Sequence, residues 1–567
     1  MIARSCTKGS CVFLQPRVLN TRATAALRAL VMSQPPPLAG FLLGGYRLCT
    51  CGMLPTPRWL ANFAEPITPK IKYSSPRKSQ LWPQLEAELR ATGQEHVLTP
   101  APPENKKADM LEQLKFIDLK ALPGMLEASL AGAAKHKEAK LEPFPDTVAL
   151  DDLPKREVAA HRAMGLDLIA NGEVAALLLA GGQGTRLGTS APKGCYDIGL
   201  PSGKSLFQYH CERIVKVKQL AAAHAKVDPA KVRLKFLVMT SAATDAETRR
   251  FFEEHGFFGL GRDGVVFFEQ GMLPCLTEEG KLMLDRPGEV AMAPNGNGGV
   301  YLSLRDRGIL AQLERDGVRH IFQFGVDNVL CHVAEPVFLG YCASKRADCA
   351  AKTVPKRDPH EPVGVLALAD GKPAVVEYSE ISREMAEATD PASGRLLFGA
   401  AHICVNYFSL PFLRDFCERK LATLPLHVAR KKIAHTLPDG RRVAPTANNG
   451  VKLELFIFDT FPHAQRMASL QVDRADEFAP VKNPPGAKED SPDTAKRLIY
   501  QLSLRRLEAA GGSLKGRGKG ARRSGDGNGG DDVPVVEVSP LLSFQGEGLE
   551  ARVRGKAFEA PLLLSEE

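Results

Sequence analysis

Acidic residues are absent from the first 64 residues of this chain, and the first of them is Glu65. The same stretch carries basic residues among Ala, Ser, Thr and Leu: Arg4, Lys8, Arg17, Arg22, Arg28, Arg47 and Arg58. This composition is typical of an organellar transit peptide. Two alternatives stay open: an extension without fixed structure, or translation that begins at Met32 or Met53. We therefore assign residues 1–75 to a disordered or targeting extension and expect a cytoplasmic protein unless residues 1–64 direct it to an organelle.

Long apolar runs are also missing, since no stretch reaches the roughly 20 residues needed to cross a bilayer. A hydrophobic fraction of 44% and a charged fraction of 25% are typical of soluble globular proteins. The net charge is +9, but much of the excess lies in the first 64 residues and in Lys515–Arg523. The charge therefore gives no argument for nucleic-acid binding by the folded part, and we expect neither a nucleic-acid nor a membrane partner.

Zinc-ligand spacing is absent from the 12 cysteines. Cys49 and Cys51 are too close together for an ordinary zinc pair, and no histidine follows at a suitable distance. The scattered cysteines indicate reduced thiols in a reducing compartment, without a structural metal.

The rest of the chain divides by its hydrophobic pattern. Leucines at helical spacing, such as Leu81, Leu85 and Leu89, predict an N-terminal helical segment over residues 76–170. Residues 171–460 alternate predicted strands, such as Leu234–Thr240, with predicted helices, such as Asp245–Gly259. This alternation predicts a parallel sheet with helices on both faces, which binds ligands at the carboxyl ends of its strands.

Residues 461–567 follow as a C-terminal domain that resumes apolar, strand-like sequence at Val533. A glycine-rich insert at 511–532 interrupts this domain, and its low complexity predicts a disordered loop. The glycine and arginine content of Gly511–Arg523 leaves RNA binding by this loop as an alternative.

A glycine-rich loop follows the apolar strand predicted at Val174–Leu179. The sequence LLLAGGQGTRLGTSAPK, from Leu177 to Lys193, places three glycines before Arg186 and Lys193. Glycines let the backbone approach phosphate, and exposed N–H groups there bind anions. A dinucleotide fingerprint would need a third glycine at Leu187, and the Lys-Ser/Thr ending of a Walker loop is missing at its required spacing. The glycines alone fit an ordinary turn, but the two cations favour a polyphosphate ligand.

The continuation of this loop, GCYDIGLPSGKSLFQ from Gly194 to Gln208, resembles the eukaryotic UDP-N-acetylglucosamine pyrophosphorylases, which are sugar-nucleotide uridylyltransferases. Further ordered matches extend the resemblance from about Gly93 to the C-terminus: Phe267–Pro274, Met292–Tyr301, Gly325–Leu330, Glu361–Val365, Val375–Ser382, Asn449–Asp459, Glu477–Asn483 and Val538–Glu550. The resemblance implies an α/β, Rossmann-like nucleotidyltransferase fold with a mixed, mostly parallel central sheet and a small C-terminal α+β domain.

The resemblance also implies a reaction in which UTP and a hexosamine 1-phosphate, here N-acetylglucosamine 1-phosphate, give UDP-N-acetylglucosamine and pyrophosphate. The sugar phosphate attacks the α-phosphorus of UTP in line, so the site must align two anions and neutralise charge. The matching positions assign Arg186, Lys193 and Lys482 to catalysis. They assign UTP binding to Leu179, Ala180, Gly181, Gly182, Lys193, Gln270, Gly296, Asp327, Lys452 and Lys482.

Asp327 follows a predicted strand, where a carboxylate can hold Mg²⁺ against the phosphates. Without the resemblance, a helix N-cap would be the better interpretation of Asp327. Taken singly, Lys452 and Lys482 would likewise be read as surface lysines.

For the sugar, the resemblance points to Asn297, Glu377, Tyr378 and His402. The family usually has FNAGN where this chain has LLFGAAH, so His402 replaces the asparagine that contacts the sugar. An imidazole makes different hydrogen bonds from an amide. We therefore expect weaker discrimination between sugar 1-phosphates. A second departure, Asn295 in place of the usual aspartate, should have a modest effect.

Three further hypotheses follow from these residues. A broad UDP-sugar pyrophosphorylase, making UDP-GalNAc or UDP-glucose, would use the same site with a looser sugar pocket. An inactive relative would only bind nucleotide, but the presence of Arg186, Lys193, Asp327 and Lys482 together argues against it. For the assembly, we expect a monomer or a weak homodimer.

Overall fold

A sheet of 11 strands organises the part of the chain that the structure, a computed structural model, describes: residues 82–115, 117–515 and 533–566. The targeting prediction for residues 1–64 and most of the disorder prediction for 511–532 lie outside the described residues. Gly511–Lys515, at the start of that insert, are described and include a short strand.

The helices and strands alternate along most of the chain. In chain order, the helices are α1 (Trp82–Ala91), α2 (Glu104–Leu114), α3 (Leu122–Lys137), α4 (Lys155–Ala170), α5 (Leu206–Ala225), α6 (Asp245–Glu254), α7 (Val300–Asp306), α8 (Ile309–Arg315), α9 (Pro336–Ser344), α10 (Arg383–Glu387), α11 (Leu410–Arg419), α12 (Arg474–Glu477), α13 (Pro492–Ala509) and α14 (Leu549–Val553). The strands are β1 (Leu141–Pro143), β2 (Thr147–Ala149), β3 (Val174–Leu179), β4 (Lys235–Thr240), β5 (Val265–Glu269), β6 (Met272–Pro274), β7 (Leu284–Arg286), β8 (Glu289–Val290), β9 (Met292–Pro294), β10 (His320–Gly325), β11 (Cys349–Pro355), β12 (Val365–Ala369), β13 (Lys372–Val376), β14 (Ala400–Ser409), β15 (His427–Lys431), β16 (His435–Thr436), β17 (Arg442–Val443), β18 (Gly450–Glu454), β19 (Met467–Gln471), β20 (Ser513–Leu514), β21 (Val536–Val538), β22 (Ala557–Phe558) and β23 (Leu562–Leu564).

The main sheet has the strand order β2-β19-β11-β14-β10-β3-β4-β5, with β1, β12 and β13 attached beside it. β10, β3, β4 and β5 are mutually parallel, as are β11, β19 and β2. β14 lies antiparallel between β10 and β11. The predicted mixed, mostly parallel α/β sheet is thus confirmed.

Strand β3, in the middle of the sheet, is apolar throughout because both faces of the sheet are covered. Alternate residues of β3 belong to two different cores: Ala175 and Leu177 to one, Val174, Ala176 and Leu178 to the other. Helices α4 and α9 cover the second face and cross closely, since a Cβ built on Gly165 would lie 1.9 Å from the carbonyl oxygen of Pro336. No larger residue fits at this crossing.

One local prediction is wrong. The helix predicted over Asp245–Gly259 ends at Glu254, because Phe257 and Phe258 take left-handed φ values of 54° and 48° in a tight turn. The predicted N-terminal helical segment is confirmed by helices α1 to α4, and it also includes the short strands β1 and β2, which pair with β12 and β19.

The C-terminal segment packs on the loop that precedes α5. The buried Glu537 carboxylate of β21 accepts hydrogen bonds from the Ser202 hydroxyl at 2.6 Å and from the Tyr209 hydroxyl. Beside it, the Lys204 ammonium lies 2.6 Å from Glu212 and 3.1 Å from the Ser539 hydroxyl. Buried charges of this kind are paired, and they fix the end of the chain next to the loop that follows the glycines.

Candidate functional site

The glycine-rich loop begins at the carboxyl ends of the parallel strands, as predicted for a ligand site. The Ala180 N–H donates to the Met239 carbonyl at 2.8 Å, and the Val326 N–H donates to the Leu179 carbonyl at 3.2 Å. The loop therefore leaves the sheet between β4 and β10. At Gly181 a built Cβ would lie 2.8 Å from Gln270 Nε2, so these two predicted UTP-binding residues are close neighbours.

The far end of the loop returns Lys193 to the glycines, because the Lys193 N–H donates to the Gly182 carbonyl at 3.1 Å. The Lys193 ammonium donates to the Val481 carbonyl at 3.2 Å and is half-buried. Arg186 stands exposed on the turn Thr185–Leu187, and no residue in the described ranges hydrogen-bonds to its guanidinium. The loop thus places two cations beside exposed backbone, which suits a polyphosphate.

Val481 connects this loop to Asp327. Its N–H donates to the Asp327 carbonyl at 3.0 Å, while its own carbonyl receives the Lys193 ammonium. The next residue, Lys482, has its ammonium 3.8 Å from Asp490, an acid that the sequence motifs did not single out. Burial raises the pKa of the Asp490 carboxyl, and Lys482 opposes that rise. The structure therefore brings Lys193, Asp327 and Lys482 together.

Asp327 does not cap the helix that follows it. The next helix, α9, is capped by Glu335, whose carboxylate accepts from the N–H groups of Val337 at 2.9 Å and Phe338 at 2.7 Å. The Asp327 carboxylate lies in the neighbourhood of Cys404, where burial and the Asp327 charge raise the pKa of the thiol to about 11.

The loop after β9 carries Gly296, which is predicted to bind UTP, and Asn297, which is predicted to bind the sugar. Gly296 has φ +84°, and a built Cβ would lie 2.3 Å from the Leu455 carbonyl oxygen, so the position requires glycine. The Asn297 side-chain oxygen accepts from the Ile457 N–H at 2.9 Å. Asn295 is buried, and its side-chain oxygen has no hydrogen-bond partner in the described part of the chain. Lys452 lies on β18, two residues before Glu454.

The predicted sugar side lies near the start of β14. The His402 N–H donates to the Gly364 carbonyl at 2.9 Å, and a Cβ built on Gly364 would lie 3.4 Å from Glu377 Oε1, so His402 and Glu377 are close neighbours. Burial and Glu380 raise the pKa of the Glu377 carboxyl, while His427 and Lys482 lower it. Tyr378 is 54% exposed.

A chain of buried amides fixes the tautomer of His402. The Asn406 side-chain nitrogen donates to the Gln323 side-chain oxygen at 2.6 Å, so the Asn406 oxygen is left as the acceptor for His402 Nε2 at 2.9 Å. His402 Nε2 therefore carries the proton and Nδ1 is an acceptor. Burial lowers the pKa of the imidazole, which keeps the ring neutral.

A bulge in β14 determines where His402 lies. Lys352 pairs with Val405, but the next residue, Thr353, pairs with His402, so two residues of β14 have no partner in β11. One of them, Cys404, has a left-handed φ of 56°. Bulges of this kind redirect side chains near active sites. No signal in the sequence indicates it.

Behind the site lies a network of buried charges that the sequence motifs did not reveal. The fully buried Lys352 ammonium lies 2.7 Å from Glu477 and 3.6 Å from Glu335. His332 Nδ1 lies 3.3 Å from Glu477, and Arg506 donates to His332 Nε2 at 2.8 Å. Although burial raises the pKa of the Glu477 carboxyl, the Lys352 ammonium and the His332 ring together hold it well below its usual range. The sequence did contain one signal of this network: Lys352 stands within the otherwise largely apolar run of β11, and a buried lysine there needs an acidic partner.

Comparisons with known proteins give matches over most of the chain. The model of the family described as UTP–glucose-1-phosphate uridylyltransferase matches residues 129–486, which include all of the predicted site residues. The Homo sapiens UDP-N-acetylhexosamine pyrophosphorylase-like protein 1 is 41% identical over 509 residues, covering 85% of this chain and 97% of that protein. The Saccharomyces cerevisiae UDP-N-acetylglucosamine pyrophosphorylase is 39% identical over 465 residues, covering 80% of this chain and 92% of that protein.

A solved structure is similar over the same range. The uridine diphosphate N-acetylglucosamine pyrophosphorylase from Trypanosoma brucei, crystallised with an inhibitor, matches with a TM-score of 0.71 at 34% identity. The match covers 84% of this chain and 96% of that one.

Proposed function

The chain belongs to the UTP–glucose-1-phosphate uridylyltransferase family, and from this membership we propose that it joins UTP and N-acetylglucosamine 1-phosphate to give UDP-N-acetylglucosamine and pyrophosphate. It is a nucleotidyltransferase. The observation that carries the proposal is the junction at Val481, whose two backbone groups bind Lys193 and the backbone of Asp327 at 3.2 and 3.0 Å. Val481 thereby brings Lys193 and Asp327, which are far apart in the sequence, together beside the glycine-rich loop.

The chemistry needs alignment and charge neutralisation rather than a covalent nucleophile. The backbone of Gly181 and Gly182 approaches the UTP phosphates. Arg186, Lys193 and Lys482 neutralise the charge that builds on the bridging and leaving oxygens as pyrophosphate departs. When UTP binds, the Lys193 ammonium can donate to a phosphate oxygen in place of the neutral Val481 carbonyl.

Mg²⁺ fits the donors present. In the described residues no group of three or more His, Cys, Asp and Glu side chains is arranged around a common metal position. A protein commonly holds Mg²⁺ through one or two carboxylates, and the substrate phosphates complete its shell. Asp327 is the carboxylate that would hold it, and the ion would supply electrostatic stabilisation of the phosphate oxygens.

Asn297, Glu377, Tyr378 and His402 form the sugar side in this proposal. One observation favours the second candidate, a broad UDP-sugar pyrophosphorylase. The fixed tautomer of His402 offers only an acceptor at Nδ1, whereas an asparagine would offer both a donor and an acceptor. A hexose hydroxyl and an N-acetyl N–H can both donate to such an acceptor, so we expect reduced discrimination between N-acetylglucosamine, N-acetylgalactosamine and glucose 1-phosphates.

For the setting of the reaction we propose a cytoplasmic monomer or weak homodimer without nucleic-acid partners. In the described part of the chain, no helix combines the length and the apolar character that crossing a membrane requires.

The test is pyrophosphate release by the purified full-length chain with UTP and Mg²⁺, and with each of the three sugar 1-phosphates separately. Release with N-acetylglucosamine 1-phosphate far above that with glucose 1-phosphate would support the first candidate. Comparable rates would move the assignment to the broad enzyme. No release with any sugar would leave the inactive relative as the better hypothesis.

A further inference from the structure

A histidine and a buried aspartate form a pair next to the sugar side. His427 Nε2 lies 3.0 Å from both carboxylate oxygens of Asp459. The Asp459 side chain is 7% exposed, and its Oδ2 also accepts from the Phe456 N–H at 2.9 Å. Because a carboxylate only accepts, His427 Nε2 must carry the proton. The pairing therefore leaves Nδ1 for another partner.

The ring of His427 is held in one orientation. It stacks on Phe456 with ring centroids 4.0 Å apart and planes 23° apart. Among the described residues none hydrogen-bonds to Nδ1, and the side chain is 29% exposed. An oriented imidazole with one nitrogen satisfied and the other open is arranged to bind a ligand rather than only to pack.

The position of His427 points to the sugar. It begins β15, where it pairs with Glu454 of β18, and Lys452 pairs with Ala429 two residues further on. Residues paired across two strands share a face, so His427 and Lys452 lie on one face of this ribbon. The Asp459 partner lies in the segment Ile457–His463, which packs against β13, the strand that ends just before Glu377.

We propose that His427 is a further sugar-binding residue, whose Nδ1 accepts a hydrogen bond from a hexose hydroxyl while Asp459 fixes the ring. The proposal rests on the proposed function, because it takes Glu377 as part of the sugar side. It names a hydroxyl because, with Nε2 donating to Asp459, the imidazole form of the ring has an acceptor at Nδ1, to which a hydroxyl can donate and an ionised phosphate oxygen cannot.

Two conservative variants separate the nitrogens of the ring. Glutamine places its amide near the position of Nε2, so His427→Gln keeps a donor to Asp459 and loses the group at Nδ1. Asparagine places its amide near the position of Nδ1, so His427→Asn keeps an acceptor there and loses the bond to Asp459. The chain also offers a control: His224 forms a surface pair with Asp167 at 3.0 Å, and His224→Gln makes the same substitution in a histidine–aspartate pair elsewhere.

The experiment is calorimetric titration of the full-length chain and its variants with UDP, with UDP-N-acetylglucosamine and with UDP-glucose. We expect His427→Gln to weaken binding of the UDP-sugars by about three- to tenfold, as for one net hydrogen bond, and to leave UDP binding within about twofold. His427→Asn should recover part of that loss, and His224→Gln should change nothing. Thermal melts check that each variant is folded.

Three results would overturn the proposal. One is an equal loss for UDP and the UDP-sugars, which would mean that His427 contacts phosphate. Another is full UDP-sugar affinity in His427→Gln together with a loss in His427→Asn, which would assign the histidine to Asp459 alone. The third is a wild-type chain that binds UDP-sugars no better than UDP. These titrations measure binding and need no turnover. A chain that releases no pyrophosphate would refute the proposed function, whereas this inference would still be decided by the titrations.

Discussion

Replacing Glu477 by glutamine should destabilise the protein measurably, because the change removes the nearest negative charge from the buried Lys352 ammonium. Lys352 is fully buried, and Glu477 at 2.7 Å is its nearest counter-charge; Glu335 remains 3.6 Å away. Removing one partner of a buried pair costs about 3–5 kcal/mol. Glutamine keeps an acceptor for the ammonium, so we expect the lower end, about 3 kcal/mol.

This loss in the free energy of unfolding can be expressed as a decrease in melting temperature. Unfolding entropies of about 2.1 cal/mol/K per residue give a chain of this length about 1 kcal/mol per degree. Glu477→Gln should therefore lower Tm by about 3 °C at pH 7. The double variant Lys352→Met with Glu477→Leu removes both charges and should lose less than the sum of its two single variants, because neither charge is left alone.

The pH dependence gives a second test of the same pair. The pKa of the folded Glu477 carboxyl is depressed, so its contribution to stability is present above the unfolded value near 4.5 and is lost as the pH falls toward the folded value. The Tm difference between the wild-type chain and Glu477→Gln should therefore shrink between about pH 6 and about pH 3. Calorimetric melts at both pH values measure it. A Tm within about 1 °C of wild type at pH 7, or a difference that grows in acid, would refute the reasoning.

Three other predictions concern the site itself. Lys193→Ala and Asp327→Ala should each lower kcat at least about 100-fold with Tm within about 1 °C of wild type, since each removes charge stabilisation and little packing; full activity in either would remove that residue from the mechanism. His402→Asn should raise the ratio of kcat/KM for N-acetylglucosamine 1-phosphate over glucose 1-phosphate several-fold, and an unchanged ratio would contradict the role of the fixed tautomer. Gly296→Ala should raise KM for UTP in steady-state assays, because its Cβ would lie 2.3 Å from the Leu455 carbonyl oxygen; an unchanged KM would mean that this loop does not contact the nucleotide.

Local pattern predicted the frame of the site well. The apolar run Val174–Leu179 is a central strand, and the glycines after it do lie at the carboxyl edge with Lys193 folded back on them. The strand and the position of the glycines follow from short-range signals, a continuous apolar stretch that ends at turn residues, whereas the return of Lys193 to Gly182 was not predicted. The same kind of signal predicted a strand at Leu234–Thr240, and β4 begins one residue later at Lys235.

The features that assemble the site leave no such signal. Val481 holds Lys193 and Asp327 through its backbone, and a backbone group is the same in every residue but proline. The bulge at Cys404 depends on pairing with β11, a strand from a distant part of the chain. Sequence matching named Lys482 and His402 by family position, but the network behind Glu477 and the pairing of His427 with Asp459 appear only when distant segments are brought together.

The bond between Lys193 and Val481 has a consequence for the order in which the protein becomes functional. It joins residues 288 positions apart, so the glycine-rich loop is made early in synthesis while its partner is among the later segments to leave the ribosome. A nascent chain shorter than Val481 cannot complete the site and should not retain nucleotide. Closing so long a stretch of chain is entropically costly and slow, so we expect nucleotide binding to be acquired near the end of folding rather than to guide its beginning.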